Sequence, residues 1–240
     1  MLTAYQTSMS ALAWSRQLTP DRIKSVAICR LIGISPSRMN IESESVVSLY
    51  ERRAEAWVQA RLLESTLYEK PWLDRFLALI PSAGSILDCG CGAGEPIARY
   101  FSERGHPITG VDSSSAMVRM FLARLPEQNA IVADMRTLDL LKTFDAILAW
   151  DSFFHLNHDA QRNMFPVFRR HAASGAALMF TSGPSHGEVV GELEGEPLYH
   201  ASLAAAEYRR LLEEQGFAVV DHRESDLSCF GRTVWLAQLQ

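Results

Sequence analysis

The chain has 240 residues, a hydrophobic content of 48% and a formal net charge of −5 at neutral pH. That length admits one α/β domain with a sizeable core, and the mild acidity gives no basis for a polyanionic partner such as nucleic acid. No apolar run approaches membrane-spanning length, and Cys29, Cys89, Cys91 and Cys229 form no C-x-x-C pair and no histidine-flanked metal set.

Residues 1–38 carry Arg16, Arg22, Lys24, Arg30 and Arg38 against Asp21 alone, and are rich in serine. They read as a poorly ordered extension ahead of a start at Met39, or, in a second reading, as an organelle transit segment. Residues 39–240 are expected to form the domain, with cover helices over 45–80 and the core over 85–240. Apolar residues near helical spacing predict helices over 45–67 and 72–80, the second stopped by Pro81 and Gly84. Strands and helices then alternate. Strand 85–89 precedes helix 96–104, strand 108–112 precedes helix 114–125, and strands 130–134 and 144–150 are separated by only a short turn. Asn157 or His158 caps the next helix, which Pro166 should kink or split. Strand 176–181 leads into 182–201, where Gly183-Pro184, Gly187, Gly191, Gly195 and Pro197 read as a long loop of the kind that closes over a site. Helix 203–215, strand 217–221 and strand 233–239 complete the chain. The alternation predicts a doubly wound, mostly parallel seven-stranded α/β sheet. The last two strands have no helix between them, so the final one is expected to be antiparallel.

The stretch Ile86-Leu-Asp-Cys-Gly-Cys-Gly-Ala-Gly-Glu-Pro96 is a strand that runs into a tight glycine turn and then a helix, with Pro96 suited to the first helical position. Missing Cβ atoms at Gly90, Gly92 and Gly94 would let a ligand press on the backbone. A dinucleotide pyrophosphate would meet Asp88 and Glu95, two negative charges in the wrong place. A cationic ligand reverses the sign of that interaction, and S-adenosylmethionine carries an ammonium and a sulfonium and no phosphate.

These residues resemble motif I, D-x-G-x-G-x-G, of the class I S-adenosylmethionine-dependent methyltransferases. The resemblance continues through Ile108-Thr-Gly-Val-Asp112, Ile131-Val-Ala-Asp-Met135 and Phe144-Asp-Ala-Ile-Leu-Ala-Trp-Asp151, covering roughly residues 47–240. It implies strand order 3-2-1-4-5-7-6 and S-adenosylmethionine as cofactor. Gly90, Cys91 and Gly92 would take the methionine end, with Asp88 favouring its ammonium. Asp112, beside Ser113, would accept from the ribose hydroxyls. Asp134 and the Met135 N–H would face adenine, and Trp150 would lie at the end of the fourth strand. Tyr50-Glu-Arg-Arg-Ala54 resembles the Tyr-x-x-x-Ala cover helix of small-molecule members, with Tyr50, Arg53 and Arg61 closing over the methionine moiety.

Methyl transfer from a sulfonium is an in-line displacement, so the protein must position the acceptor and exclude water. His155 and Asp151, just past the fourth strand, are the candidate catalytic residues, with His186, Tyr199 and His200 in the following loop. The chain lacks the [Asn/Asp/Ser]-Pro-Pro-[Tyr/Phe] signature of methyltransferases acting on DNA bases or protein glutamine. It has Thr181-Ser182-Gly183 where metal-dependent catechol-type members place Asp-Asn. The expectation is therefore a cytoplasmic methyltransferase acting on an O or N atom of a small molecule, without metal, nucleic-acid or membrane partner. The alternatives are an inactive S-adenosylmethionine-binding scaffold and a nicotinamide-dependent oxidoreductase.

Overall fold

The computed structural model describes residues 36–63 and 66–240, with side chains from residue 45 onward, so the expectations for residues 1–35 lie outside the described residues. In chain order the strands are β1 (Ile86–Cys89), β2 (Ile108–Asp112), β3 (Asn129–Val132), β4 (Phe144–Ala149), β5 (Ala172–Ser182), β6 (Gly187–Leu193), β7 (Glu196–Ser202), β8 (Phe217–Asp226) and β9 (Arg232–Leu239). Seven of them form one sheet in the order β3-β2-β1-β4-β5-β9-β8. The first five run parallel, and β9 lies antiparallel between β5 and β8. With β6 and β7 set aside, this is the 3-2-1-4-5-7-6 order expected from the sequence.

The helices are α1 (Pro36–Leu62), α2 (Lys70–Leu77), α3 (Ile97–Ser102), α4 (Ser115–Arg124), α5 (His158–His171) and α6 (Ala205–Glu214). β1 is buried at all four positions, as a central strand covered on both faces must be. Leu87 and Cys89 pack toward α5 and α6 with Phe165, Phe168 and Tyr208, whereas Ile86 packs toward α2 and α3 with Trp72, Phe76 and Phe101. Two apolar cores, one per face, hold the strand ends still.

α1 starts at Pro36, nine residues before the expected cover helix, and at about 1.5 Å per residue it is about 40 Å long. Val46 and Leu49 pack on Leu193, Leu198 and Tyr199 of the β6–β7 hairpin. Ala54 and Val58 pack on Ala93 of the glycine turn and on Ala116 and Met117 of α4. The helix thus bridges the hairpin and the motif I turn.

Three expectations are corrected. Residues 187–202 are a β-hairpin and not a loop, closed by Glu194-Gly195 with φ of 54° and 81°. Those angles belong to the two-residue turn that matches strand twist. Gly191 and Pro197 inside the strands hid the alternation, but a pair of residues ending in glycine between Val189-Val190 and Leu198-Tyr199 was the available signal. Second, Pro166 does not split α5, which runs on as one helix. Pro166 lies on the exposed side, while Met164, Phe165 and Phe168 anchor both halves to the core. Third, Pro96 stands just before α3, and β5 and β8 extend beyond the strands read at 176–181 and 217–221.

Residues 39–240 remain our proposal for the domain. Among the described residues, a chain beginning at Met39 loses the first turn of α1 and keeps the packing from Val46 onward. It is expected to melt within about 1 kcal/mol of the full chain. A larger loss in thermal or denaturant unfolding would place the boundary earlier.

Candidate active site

The three glycines of the turn after β1 fall into two roles. All three line the cavity described below, but a Cβ on Gly90 would stand 2.2 Å from Ser152 Cβ and one on Gly94 2.8 Å from the Phe121 ring, so at these two positions it is protein that requires glycine. Gly92, with φ of 51°, differs, because a Cβ there would meet only Trp57 at 3.8 Å. Its bare backbone is available to a ligand in the cavity.

Asp112 ends β2 and ties this turn to α4. Its Oδ2 accepts from the Gly92 N–H at 3.0 Å and its Oδ1 from the Ser114 N–H at 2.8 Å. Each oxygen keeps a further acceptor position. Burial pushes this carboxyl up, against the lowering effect of the Ser114 and Gly92 donors. Asp88, 4% exposed, has no hydrogen-bond or ion-pair partner among the described residues. Burial, and then the charge of Asp112, push it up to about 7. A buried carboxyl without a donor is costly unless a ligand supplies one.

Cys91, Ser113, Met135 and Trp150 line the same cavity. The Ser113 hydroxyl donates to the Ala133 carbonyl at 3.3 Å, and the Trp150 Nε1–H is buried without a partner. Asp134 also lines it but is engaged. It caps the turn Met135–Thr137, and Arg136 binds both of its oxygens at 2.6–3.0 Å. Burial raises Asp134, but the bonds from Arg136 outweigh it and hold the carboxyl below its ordinary range.

Tyr50 and His155 meet across the cavity, with Tyr50 Oη 3.2 Å from His155 Nε2. His155 Nδ1 lies 2.8 Å from the Tyr199 carbonyl. A carbonyl only accepts, so Nδ1 carries the proton and Nε2 accepts from the Tyr50 hydroxyl. Burial lowers His155 to about 4, against the raising effect of the Tyr199 carbonyl and Asp151. The same burial, with the charges of Asp151 and Asp112, raises Tyr50. Both groups stay neutral, and the ring nitrogens are engaged. His155, a candidate catalytic residue, thus stands in contact with Tyr50 at the cavity wall.

Three other expected site residues are drawn into ion pairs. Arg53 turns outward to Glu196 on β7 at 2.8 Å, next to Arg52, and is not a cavity wall. Arg61 lines the cavity but binds Glu69 at 2.6 Å, with side-chain exposures of 9% and 2%. Asp151, held at a left-handed φ of 47°, is gripped by Arg232 through both oxygens at 2.6–2.9 Å. Asp151 thus lines the cavity as one half of an ion pair. Of the hairpin residues, alternation sends Leu198 and His200 to the cavity. Tyr199 packs on α1, and His186 stacks on His158 at 4.5 Å.

Sequence reasoning missed Glu51, Glu69, Tyr68 and Arg232. Glu51 on α1 accepts from the Ser114 and Ser115 hydroxyls and the Ala116 N–H, capping α4 from another helix. The Ser114 bond leads the group that lowers Glu51 to about 2. Tyr68 receives a hydrogen bond from Arg232 at 2.9 Å, and both Arg61 and Arg232 lie within 5 Å of its ring centre. None has a local motif; each is recruited by tertiary contact.

These walls enclose one cavity of about 1340 Å³ that runs from Asp112 and Gly92, beneath Tyr50, to Glu69, Arg232 and His200. Ordinary ligand sites occupy about 300–1,000 Å³. This one has room for two molecules side by side. No cluster of three or more His, Cys, Asp or Glu side chains among the described residues is placed to hold a metal ion.

Residues 86–175 match the family model described as a methyltransferase domain. The resemblance to class I methyltransferases holds in both fold and matched domain. The chain is 32% identical over 102 residues to dTDP-4-amino-2,3,4,6-tetradeoxy-D-glucose N,N-dimethyltransferase of Saccharopolyspora spinosa, a match over 42% of this chain and 41% of that protein. The matched region therefore spans less than half the length of that curated relative. In fold, the chain is similar to the S-adenosylmethionine-bound amino pentose methyltransferase of Micromonospora echinaspora, with TM-score 0.63 and 20% identity over 77% of this chain and 97% of that one. It is similar to the same degree to 1,6-didemethyltoxoflavin-N1-methyltransferase of Burkholderia thailandensis, with TM-score 0.63 and 19% identity over 86% and 91% of the two chains.

The Arg232–Asp151 pair offers a direct test of the site's electrostatics. Arg232→Met leaves Asp151 without its counter-charge and is expected to cost about 3–5 kcal/mol of unfolding free energy. Adding Asp151→Asn should recover much of that loss. A single substitution as stable as the wild type in urea titration would show that the pair is not a structural element.

Proposed function

We propose that the protein transfers the methyl group of S-adenosylmethionine to a nitrogen or oxygen atom of a small-molecule acceptor. Nitrogen is favoured by the names of its relatives, an N,N-dimethyltransferase and an N1-methyltransferase among them. The observation that carries the reading is the single cavity that joins the Asp112 turn to the chamber under α1 and the hairpin. One end suits the cofactor and the other an acceptor, so both are held in one continuous space.

The residues present fit the cofactor. Asp112 offers two oxygens to a vicinal diol, Gly92 lets the ligand approach the backbone, and Asp88 is a buried carboxyl in want of a cation. When bound, S-adenosylmethionine supplies an activated methyl group on sulfonium for in-line displacement. The chain supplies position and exclusion of water. Tyr50, oriented by His155, roofs the chamber and stays a phenol. A nitrogen acceptor binds as the neutral amine, attacks with its lone pair and loses its proton to solvent after transfer, so no strong protein base is required. The free thiols of Cys89, Cys91 and Cys229 suit a reducing compartment such as the cytoplasm. No helix among the described residues is long and apolar enough to cross a membrane.

Release of S-adenosylhomocysteine from S-adenosylmethionine in the presence of an amine metabolite pool tests the activity. Turnover that disappears in Asp112→Ala is the expected result; cofactor binding without any turnover would leave a scaffold. The cofactor end has its own signature in pH. Below about pH 7 the free protein holds a proton on Asp88, which must leave before an ammonium can pair with the carboxylate. Affinity for S-adenosylhomocysteine should therefore rise with pH up to about 7 and then level. Below that point it should fall by up to about tenfold per pH unit. Asp88→Asn is expected to weaken binding at pH 8 and flatten the profile. A flat wild-type profile in calorimetry would remove Asp88 from the ammonium site.

A further inference from the structure

The far end of the cavity holds a buried polar group that the cofactor does not use. Glu69, 1% exposed, stands just before α2 and lines the cavity. Its Oε1 accepts from Arg61 at 2.6 Å, but its Oε2 is buried with no hydrogen-bond partner. Burial raises this carboxyl even though Arg61 and Arg232 lower it. The Tyr68 ring lies against both arginines, and Arg232 links it to Asp151 beside Trp150. Glu69 thus ends a polar chain that runs along the chamber wall.

The charge balance of the walls narrows what that oxygen could meet. Eight carboxylates line the cavity against three arginines, and one of the eight, Glu95, is paired by Arg99 from outside it. Each arginine is already bound, Arg61 to Glu69, Arg136 to Asp134 and Arg232 to Asp151. A phosphate or carboxylate on the acceptor would therefore enter a negative field with every lining arginine taken. An N–H donor, neutral or cationic, meets no such barrier and supplies the bond that Glu69 Oε2 lacks.

Resting on the methyltransferase reading above, we propose that Glu69 is the acceptor-binding residue, its Oε2 accepting a hydrogen bond from an amine N–H of an acceptor that carries no phosphate or carboxylate. Arg61 fixes the carboxylate from the protein side, and Tyr68 and Trp150 line the same cavity. A primary or secondary amine can donate one N–H to Glu69 and keep its lone pair for the methyl group.

The test uses benzylamine, benzyl alcohol and benzoate, three probes of one shape, titrated into the full-length protein by ligand-observed NMR with and without saturating S-adenosylhomocysteine. Benzylamine is expected to bind at least about tenfold more tightly than the alcohol, and benzoate not measurably. Glu69→Gln, which keeps an acceptor for Arg61, should erase the preference for the amine. If that variant unfolds, Arg61→Met/Glu69→Gln removes both charges and is read the same way. Equal binding of amine and alcohol to the wild type, or an undiminished preference in either folded variant, would overturn the assignment. Failure of S-adenosylhomocysteine to bind the wild type would instead count against the methyltransferase reading, and the ligand-free titration would still decide on Glu69.

Discussion

The carboxylate of Asp112 is the joint on which the site depends. It holds the N–H groups of Gly92 and Ser114, so the turn after β1 and the approach to α4 keep fixed positions. Ser114 in turn donates to Glu51, which brings α1 into the same network. Three segments far apart in the chain, the motif I turn, the end of β2 and the cover helix, are therefore referred to one side chain. The parallel sheet makes this possible, because it carries the ends of β1, β2 and β4 to the same edge, with α1 laid across the opening.

Electrostatics then divide the cavity. Acids predominate, and their treatment differs from one end to the other. Asp151, Asp134 and Glu69 each hold an arginine, so these pairs add little net field. Asp88 holds none and is kept partly protonated by burial until a cation arrives. A phosphate-bearing dinucleotide would find the reverse of what it needs here, whereas a sulfonium ligand with an ammonium group finds a partner. Burying unpaired carboxyls costs stability, and their persistence in a cavity is the mark of a site and not of a core.

Much of the fold was legible because its signals are local. Periodicity and glycine punctuation identify β1 through β4 and the helices between them, and the acids that end those strands are adjacent to the turns they serve. The hairpin was not legible as such, since Gly187, Gly191 and Pro197 dilute the strand pattern, and its stability comes from Val46 and Leu49 on a distant helix. The same reason separates the site residues. Asp88, Gly92 and Asp112 line the cavity at the places their motifs suggest. Arg53 and Arg61 were assigned from the cover-helix resemblance and helix phase, but their direction is set by Glu196 and Glu69, which no spacing rule links to them. Asp151 and His155 lie where the fourth-strand pattern puts them, yet Arg232 and Tyr199 change what each can do.

The most direct test of the central claim is a crystal structure of the protein with S-adenosylhomocysteine. Both ribose hydroxyls are expected within hydrogen-bonding distance of the Asp112 oxygens, with the backbone of Gly92 against the ligand and the amino group beside Asp88. A ligand seated elsewhere, or one whose ribose makes no contact with Asp112, would contradict that claim.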